Sequence, residues 1–219
     1  MPERFSRFGS KHAMTDSKTH WEQLYQHKSP LEVSWFQKKP VLSLELIKHT
    51  GIGKDAALID IGGGASTLVD NLLVEGYSNI SVLDISSNAL NHAQQRLGEA
   101  AKAIHWLVAD ITAFSAPIKY ALWHDRAVFH FLVDKTQRQA YVSTLKESLL
   151  AGSHVIIAAF GIGGPLKCSG LDIVQYDAEK LKAELGDEFT LVEQTSEIHH
   201  TPDSREQLFG YFRFKYRPL

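Results

Sequence analysis

Residues 58–67 read Leu58-Ile59-Asp60-Ile61-Gly62-Gly63-Gly64-Ala65-Ser66-Thr67. A short apolar run is followed by three glycines and then by a helical pattern, which predicts a strand, a tight turn and the start of a helix. A Cβ at such a turn would block both positive φ values and the close approach of a ligand to the backbone. The segment therefore predicts a nucleotide-binding turn in a Rossmann-like sheet.

Two further apolar runs also end in an acid. Residues 80–83 lead to Asp84 and Ile85, and residues 104–109 lead to Asp110 and Ile111. Asp84 lies at the offset from the glycine turn at which an acid binds a ribose. Each acid alone could be a helix cap or a surface charge. The ordered set favours one ligand site at the carboxyl ends of three strands.

The positions of these acids indicate the kind of ligand. Pyrophosphate repels carboxylates, so a dinucleotide site has few acids beside its glycines. S-adenosylmethionine instead carries an ammonium and a sulfonium. Asp60 suits its ammonium, Asp84 its ribose hydroxyls and Asp110 its adenine edge. A nicotinamide fingerprint would also place a small residue where Thr67 stands.

The pattern Asp60-x-Gly62-x-Gly64-x-Ser66 resembles the first motif of the class I S-adenosylmethionine-dependent methyltransferases. Ser66 replaces the third glycine of that motif and could cap the following helix. The resemblance implies S-adenosylmethionine as cofactor, S-adenosylhomocysteine as product and no metal.

The fourth strand of this fold usually supplies catalytic groups, and here residues 124–132 read His-Asp-Arg-Ala-Val-Phe-His-Phe-Leu. The Asp-Arg pair resembles the corresponding segment of thiopurine and tellurite-resistance methyltransferases. It is also similar to the Asp-Lys-Gly segment of the lysine methyltransferases that act on elongation factor 1A. We expect His130 to be a general base, with Asp125 and Arg126 orienting the substrate or each other. The alternatives are a core position for His130 and an ion pair for Arg126.

Aromatic residues near the start of the chain add to the second resemblance. Trp21-x-x-x-Tyr25 followed by Trp35-Phe36 is similar to the start of the elongation-factor and citrate-synthase lysine methyltransferases. These rings could cover the cofactor and contact its sulfonium, or could hold the N-terminal helices to the sheet. The complete set of expected cofactor-binding residues is Trp21, Tyr25, Trp35, Asp60, Gly62, Gly63, Gly64, Ser66, Asp84, Ile85, Asp110, Ile111 and His124.

Strand and helix patterns alternate along the chain. They predict an α/β fold with a doubly wound, mostly parallel seven-stranded sheet and helices on both faces. Two strand-like runs at residues 189–198 and 207–216 have no helix between them and predict a C-terminal antiparallel pair. We expect one domain over residues 18–219. Residues 1–17 are expected to be a disordered tail or a tag remnant, with Met14 as a candidate natural start.

The bulk composition narrows the partners. The net charge of −2 over 219 residues gives no general basic field for nucleic acid or anionic membrane. A single cysteine, Cys168, excludes an internal disulfide and fits a reducing compartment, so a cytoplasmic location is expected. Cys168 lies in a long loop over residues 161–176, where it could approach the substrate or be incidental.

Together these patterns predict methyl transfer from S-adenosylmethionine to a small-molecule nucleophile: a thiol, a metalloid anion or a carboxylate. A protein lysine is the alternative acceptor. A non-catalytic module that binds the cofactor and serves a partner is the second alternative. Neither nucleic acid nor a membrane is an expected partner.

Overall fold

The computed structural model describes the backbone of residues 9–219 and the side chains from residue 17 onward. The first helix, α1, spans Gly9–His27 and begins earlier than the helical spacing around Lys18 predicts. The tail expected over residues 1–17 therefore overlaps a helix, and residues 1–8 lie outside the described part of the chain.

The described strands form one seven-stranded sheet and a small separate hairpin. The strands are β1 (Leu58–Ile61), β2 (Ile80–Asp84), β3 (Ile104–Val108), β4 (Tyr120–Arg126), β5 (Leu149–Phe160), β6 (Lys167–Cys168), β7 (Leu171–Asp172), β8 (Phe189–His200) and β9 (Glu206–Tyr216). The sheet has the order β3-β2-β1-β4-β5-β9-β8. Its first five strands pair in parallel, β9 pairs antiparallel with β5, and β8 pairs antiparallel with β9, which confirms the predicted fold class.

Helices cover both faces of the sheet, since neighbouring residues of a buried strand point to opposite sides. In β1, Leu58 packs in one core and Ile59 in the other. The first core contains side chains of α2 (Val41–His49), α3 (Leu68–Val74) and α4 (Ser87–Leu97). The second contains side chains of α5 (Lys135–Ser148) and α6 (Ala178–Leu185).

The parallel arrangement brings the carboxyl ends of β1 to β4 to the same edge of the sheet. Short 3₁₀ turns follow β3 at Ile111–Ala113 and β4 at Phe129–Phe131. The hairpin of β6 and β7 lies within the loop that follows β5. In residues 9–219, none of the helices has the length and apolarity that a bilayer span requires.

Candidate active site

A cavity of about 620 Å³ lies at the carboxyl ends of β1 to β4. Its volume falls in the range of roughly 300–1,000 Å³ that is common for small-molecule sites. An adjoining cavity of about 50 Å³ shares Tyr25, Trp35, Gly62 and Arg126 with it. The large cavity gathers the predicted residues Trp21, Tyr25, Trp35, Gly62, Asp84, Ile85, Asp110, Ile111 and Arg126, and the small one adds Asp60, Gly63, Ser66 and His124.

Close packing around the turn after β1 leaves no space for a side chain at its glycines. Gly62 has φ +66°, and a Cβ there would overlap the side chain of Val128 beyond β4. A Cβ on Gly64 would overlap the carboxylate of Asp84, so Gly64 lines neither cavity but allows Asp84 to sit against the turn. Close approach of the glycine turn to its neighbours therefore shapes the cavity wall.

Asp84 ends β2 and presents a nearly buried carboxylate to the cavity, with 7% of the residue exposed. Its Oδ1 accepts a hydrogen bond of 2.9 Å from the backbone N–H of Ser86. Burial raises the pKa of this carboxyl to about 7. Asp84 is thus a hydrogen-bond acceptor in a fixed position on the cavity wall. Such an acceptor suits the binding of a ligand's hydroxyl groups.

Asp60 and His124 form a buried polar chain behind the glycine turn. Nδ1 of His124 lies 2.7 Å from Oδ1 of Asp60, and its Nε2 lies 2.9 Å from the hydroxyl of Ser43. Parallel pairing of β1 with β4 places Asp60 beside His124. The imidazole therefore fixes the orientation of the Asp60 carboxylate, which faces the small cavity.

Asp110 serves as both cap and cavity wall. Its Oδ1 accepts hydrogen bonds from the backbone N–H of Thr112 at 2.8 Å and from the Thr112 hydroxyl at 2.7 Å. The capping interpretation is therefore correct, and the residue also faces the cavity beside Ile111 and Thr112.

The described part of α1 carries the aromatic side chains that cover the cavity. The ring of Trp21 packs edge-on against Trp35 at 5.6 Å and against Phe131 at 5.1 Å. Nε1 of Trp35 donates a 3.2 Å hydrogen bond to the hydroxyl of Tyr25. These rings both line the cavity and hold α1 in place, and contact with the cofactor's sulfonium stays a prediction.

Glu22, which sequence reasoning missed, attaches α1 to the start of α4. Its carboxylate accepts hydrogen bonds from the backbone N–H groups of Ser87 at 2.8 Å and Asn88 at 3.1 Å, and from the hydroxyls of Ser86 and Ser87 at 2.9 Å. Burial opposes ionisation of Glu22, but the hydrogen bonds from Asn88 and Ser87 lower its pKa overall. No local sequence pattern indicates this contact, since the partners are distant in the chain.

Arg126 ends β4 and is anchored on three sides. Its Nε donates to the hydroxyl of Tyr211 at 2.9 Å, and its Nη1 donates to the carbonyl of Trp35 at 3.0 Å. The guanidinium carbon lies 4.5 Å from the ring centroid of Phe209. Among the described residues no carboxylate forms an ion pair with it, so the ion-pair alternative is wrong there.

The structure corrects the role expected of Asp125. Successive residues of β4 point to opposite faces, so Asp125 is fully buried away from the cavity that Arg126 lines. Its carboxylate accepts hydrogen bonds from the backbone N–H of Val128 at 2.9 Å and from the hydroxyl of Tyr141 at 2.7 Å. Asp125 therefore shapes the turn after β4 and does not orient a substrate.

His130 is also corrected, because it lies in the core and lines neither cavity. Its Nδ1 accepts a long 3.4 Å hydrogen bond from the backbone N–H of Phe160. Burial, with a smaller contribution from the charge of Arg126, lowers its pKa to about 3. The core alternative for His130 is therefore the correct one, whereas His20 of α1 places an imidazole on the cavity wall.

The β6–β7 hairpin closes part of the cavity. Cys168, Leu171 and Asp172 line it, and Cys168 is only 4% exposed. Burial raises the pKa of the Cys168 thiol to about 11, so the thiol is protonated near neutral pH. Cys168 therefore lines the cavity, and its approach to a substrate stays a prediction.

Comparisons with known proteins agree with this geometry. Residues 58–152 match the family model described as a methyltransferase domain. The matched segment is a methyltransferase domain, and the chain is similar to the class I S-adenosylmethionine-dependent methyltransferases. The match covers β1 to the start of β5, which includes the glycine turn, Asp84 and Asp110.

Solved methyltransferases share the fold of this methyltransferase at low identity. The N-methyltransferase NodS from Bradyrhizobium japonicum, in complex with S-adenosylhomocysteine, is 18% identical with a TM-score of 0.64, over 94% of this chain and 98% of that one. A structure from work on conversion of a disulfide bond into a thioacetal group during echinomycin biosynthesis is 17% identical with a TM-score of 0.73, over 92% and 93% of the two chains.

A curated relative, the eEF1A lysine and N-terminal methyltransferase of Bos taurus, is 23% identical over all of this chain. This methyltransferase spans only 30% of that relative's length.

The residues present fit S-adenosylmethionine. Asp84 offers a buried carboxylate in the cavity wall for ribose hydroxyls, and the lack of a Cβ at Gly62 and Gly64 lets Val128 and the Asp84 carboxylate lie against the turn. The cofactor would supply a methyl group on a sulfonium, from which a nucleophile would displace S-adenosylhomocysteine as the leaving group. In the described part of the chain, no cluster of three or more His, Cys, Asp or Glu side chains is placed to hold a metal ion.

Proposed function

We propose that this methyltransferase acts on a small-molecule nucleophile held between α1, Arg126 and the β6–β7 hairpin. The observation that carries the proposal is the shape of the cavity. Besides Asp84 at the end of β2 and Asp110 after β3, His20, Phe131, Cys168 and Leu171 line the cavity and supply walls that no adenosine contact requires.

The proposed acceptor side of the cavity, between α1, Arg126 and the β6–β7 hairpin, suits the alignment of a small acceptor with the methyl group. Displacement at a sulfonium carbon needs close alignment and exclusion of water, and such positioning supplies much of the rate enhancement. The ring of Trp21 packs against those of Trp35 and Phe131, so this wall of the cavity is apolar and suits exclusion of water. The acceptor's nucleophilic atom forms the new bond to the methyl group as the bond between methyl and sulfur breaks.

We further propose that His20 accepts a proton from acceptors that must lose one. His20 stands on the cavity wall, with its Nε2 3.4 Å from the hydroxyl of Ser169. Its ring packs against Trp21 at 5.0 Å, which limits its orientation. General-base catalysis of this kind is worth roughly 10²–10⁴-fold in rate.

A protein lysine remains the second candidate acceptor. The match of the whole chain to the eEF1A lysine and N-terminal methyltransferase of Bos taurus is the observation that favours it. The Arg126 charge on the cavity wall opposes it, because a guanidinium repels a lysine ammonium.

A transfer experiment separates the two acceptor classes. Purified protein is incubated with methyl-labelled S-adenosylmethionine and with either the dialysable or the non-dialysable fraction of a cell extract. We expect label in the dialysable fraction, and less with the Asp84→Asn variant. Label confined to acid-precipitable protein would support the lysine candidate and refute the proposed one.

A further inference from the structure

The guanidinium of Arg126 carries a charge on the cavity wall that the described residues leave without an anionic partner. Its Nη2 is buried and has no hydrogen-bond acceptor among the described residues, although Nε and Nη1 are both engaged. A buried charged donor without an acceptor is costly, because the group loses its hydration without replacement.

The neighbouring acids are already engaged elsewhere. Glu197 accepts hydrogen bonds from the hydroxyl of Tyr211 at 2.8 Å and from the side chain of Gln37 at 3.0 Å. It therefore reaches Arg126 only through Tyr211. Asp125 is turned to the opposite face, and Asp60 is paired with His124.

Three contacts fix the direction of the guanidinium. The Tyr211 hydroxyl, the Trp35 carbonyl and the Phe209 ring hold the group, and Tyr211 and Phe209 come from β9. An arginine side chain whose conformation is fixed before binding loses less conformational entropy when it binds a planar oxyanion. Arginine in a fixed position is the side chain best suited to carboxylate recognition.

We propose that Arg126 is a binding residue for a ligand carboxylate in the cavity. The inference rests on the proposed function. The carboxylate belongs either to the methyl acceptor, which is then a small carboxylic acid or an amino-acid derivative, or to the amino-acid end of the cofactor. Arg126 lines both the large and the small cavity, so it reaches both positions.

The test compares Arg126→Gln with the wild-type protein in two measurements. The first is calorimetric affinity for S-adenosylhomocysteine and for 5′-methylthioadenosine, which keeps the adenosine but lacks the amino-acid end. The second is transfer of labelled methyl to dialysable extract, which is separated into anionic and non-anionic products. Arg205→Gln is the matched control, because it removes the same charge from an exposed position that lines neither cavity.

A loss of affinity of about tenfold or more for S-adenosylhomocysteine, with unchanged affinity for 5′-methylthioadenosine, assigns the carboxylate to the cofactor. Unchanged affinity for both ligands, with labelling of anionic products lost, assigns it to the acceptor. Retention of both properties in a folded Arg126→Gln protein overturns the inference. The proposed function fails separately, if wild-type protein labels no dialysable compound.

If Arg126→Gln fails to fold, Arg126→Lys keeps the charge without the fork-shaped guanidinium. The same two measurements then apply, with an intermediate loss expected in one of them. Full wild-type behaviour of Arg126→Lys in both would overturn carboxylate recognition by the guanidinium.

Discussion

The carboxyl of Asp84 makes cofactor affinity depend on pH. Its pKa is raised from 3.8 to about 7 by burial, so ionisation costs folding free energy as the pH rises through that window. The ionised form accepts hydrogen bonds from ribose hydroxyls, and binding therefore favours it. We expect the affinity for S-adenosylhomocysteine to fall by roughly tenfold from about pH 8 to about pH 6, as measured by calorimetry.

The Asp84→Asn variant identifies the titrating group. Its affinity should be at least about tenfold weaker than that of the wild-type protein near pH 8, and its dependence on pH should be flatter. Asp187→Asn is the control, because that side chain is 97% exposed and lines neither cavity. A pH profile that is the same in Asp84→Asn and in the wild type would refute the assignment.

The two histidines offer a paired comparison of catalysis and stability. His20→Gln should lower kcat by about 10²-fold or more for an acceptor that loses a proton, with little change in cofactor affinity. His130→Gln should lower the free energy of unfolding by about 1–3 kcal/mol, because it disturbs a buried site. Steady-state kinetics and chemical denaturation measure the two effects. Equal loss of kcat in two equally stable variants would contradict the assignment.

The sequence predicts which residues gather after β4, but not which way each one faces. Strand alternation alone would have separated Asp125 from His124 and Arg126, which share a face. His130 could not be placed in this way, because it follows a turn in which Ala127 adopts φ +70°. Beyond this turn, the direction of the His130 side chain depends on its packing against Phe131 in the turn and Phe160 at the end of β5.

Among the elements, α1 is attached to the N-terminus of α4 by the carboxylate of Glu22. Removing the charge with Glu22→Gln should weaken four hydrogen bonds and an interaction with the helix dipole, at a cost of about 1–2 kcal/mol. We expect faster amide hydrogen exchange in α1 and faster dissociation of S-adenosylhomocysteine. Hydrogen exchange and stopped-flow fluorescence of Trp21 and Trp35 measure these rates.

A matched variant tests whether this effect is specific to the contact between α1 and α4. Glu45→Gln removes the same charge from an exposed position of α2 and should leave both rates unchanged. Glu22→Gln with wild-type exchange in α1 would show that the aromatic contacts alone hold the helix in place.

The longer helices and strands could be predicted because each shows a regular spacing of apolar residues and ends at a recognisable residue such as a glycine or an acid. The glycine turn, the acids after β2 and β3 and the C-terminal strand pair all follow from local sequence. The β6–β7 hairpin could not be predicted, since its strands have two residues each and carry no period. The extent of α1 was also missed, because its polar first half gives no apolar stripe before Trp21.

At the scale of the whole molecule, the cavity depends on segments from both ends of the described chain. The matched family segment supplies the glycine turn, Asp84 and Asp110, while α1 and the β6–β7 hairpin lie outside residues 58–152. Tyr211 and Phe209 of β9 hold Arg126 at the cavity. Much of the proposed cofactor side therefore lies within the shared family segment, whereas much of the proposed acceptor side lies outside it.

Because the site joins distant segments, ligand binding should stabilise the whole fold. S-adenosylhomocysteine at a hundred times its Kd should add about 2.7 kcal/mol to the free energy of unfolding. For a domain of this size, that corresponds to a rise in Tm of roughly 5–10 °C. A nicotinamide dinucleotide should give no rise, since Asp60, Asp84 and Asp110 repel its pyrophosphate. Thermal melts of wild type and Asp84→Asn measure the effect, and a dinucleotide shift as large as that of S-adenosylhomocysteine would contradict the cofactor assignment.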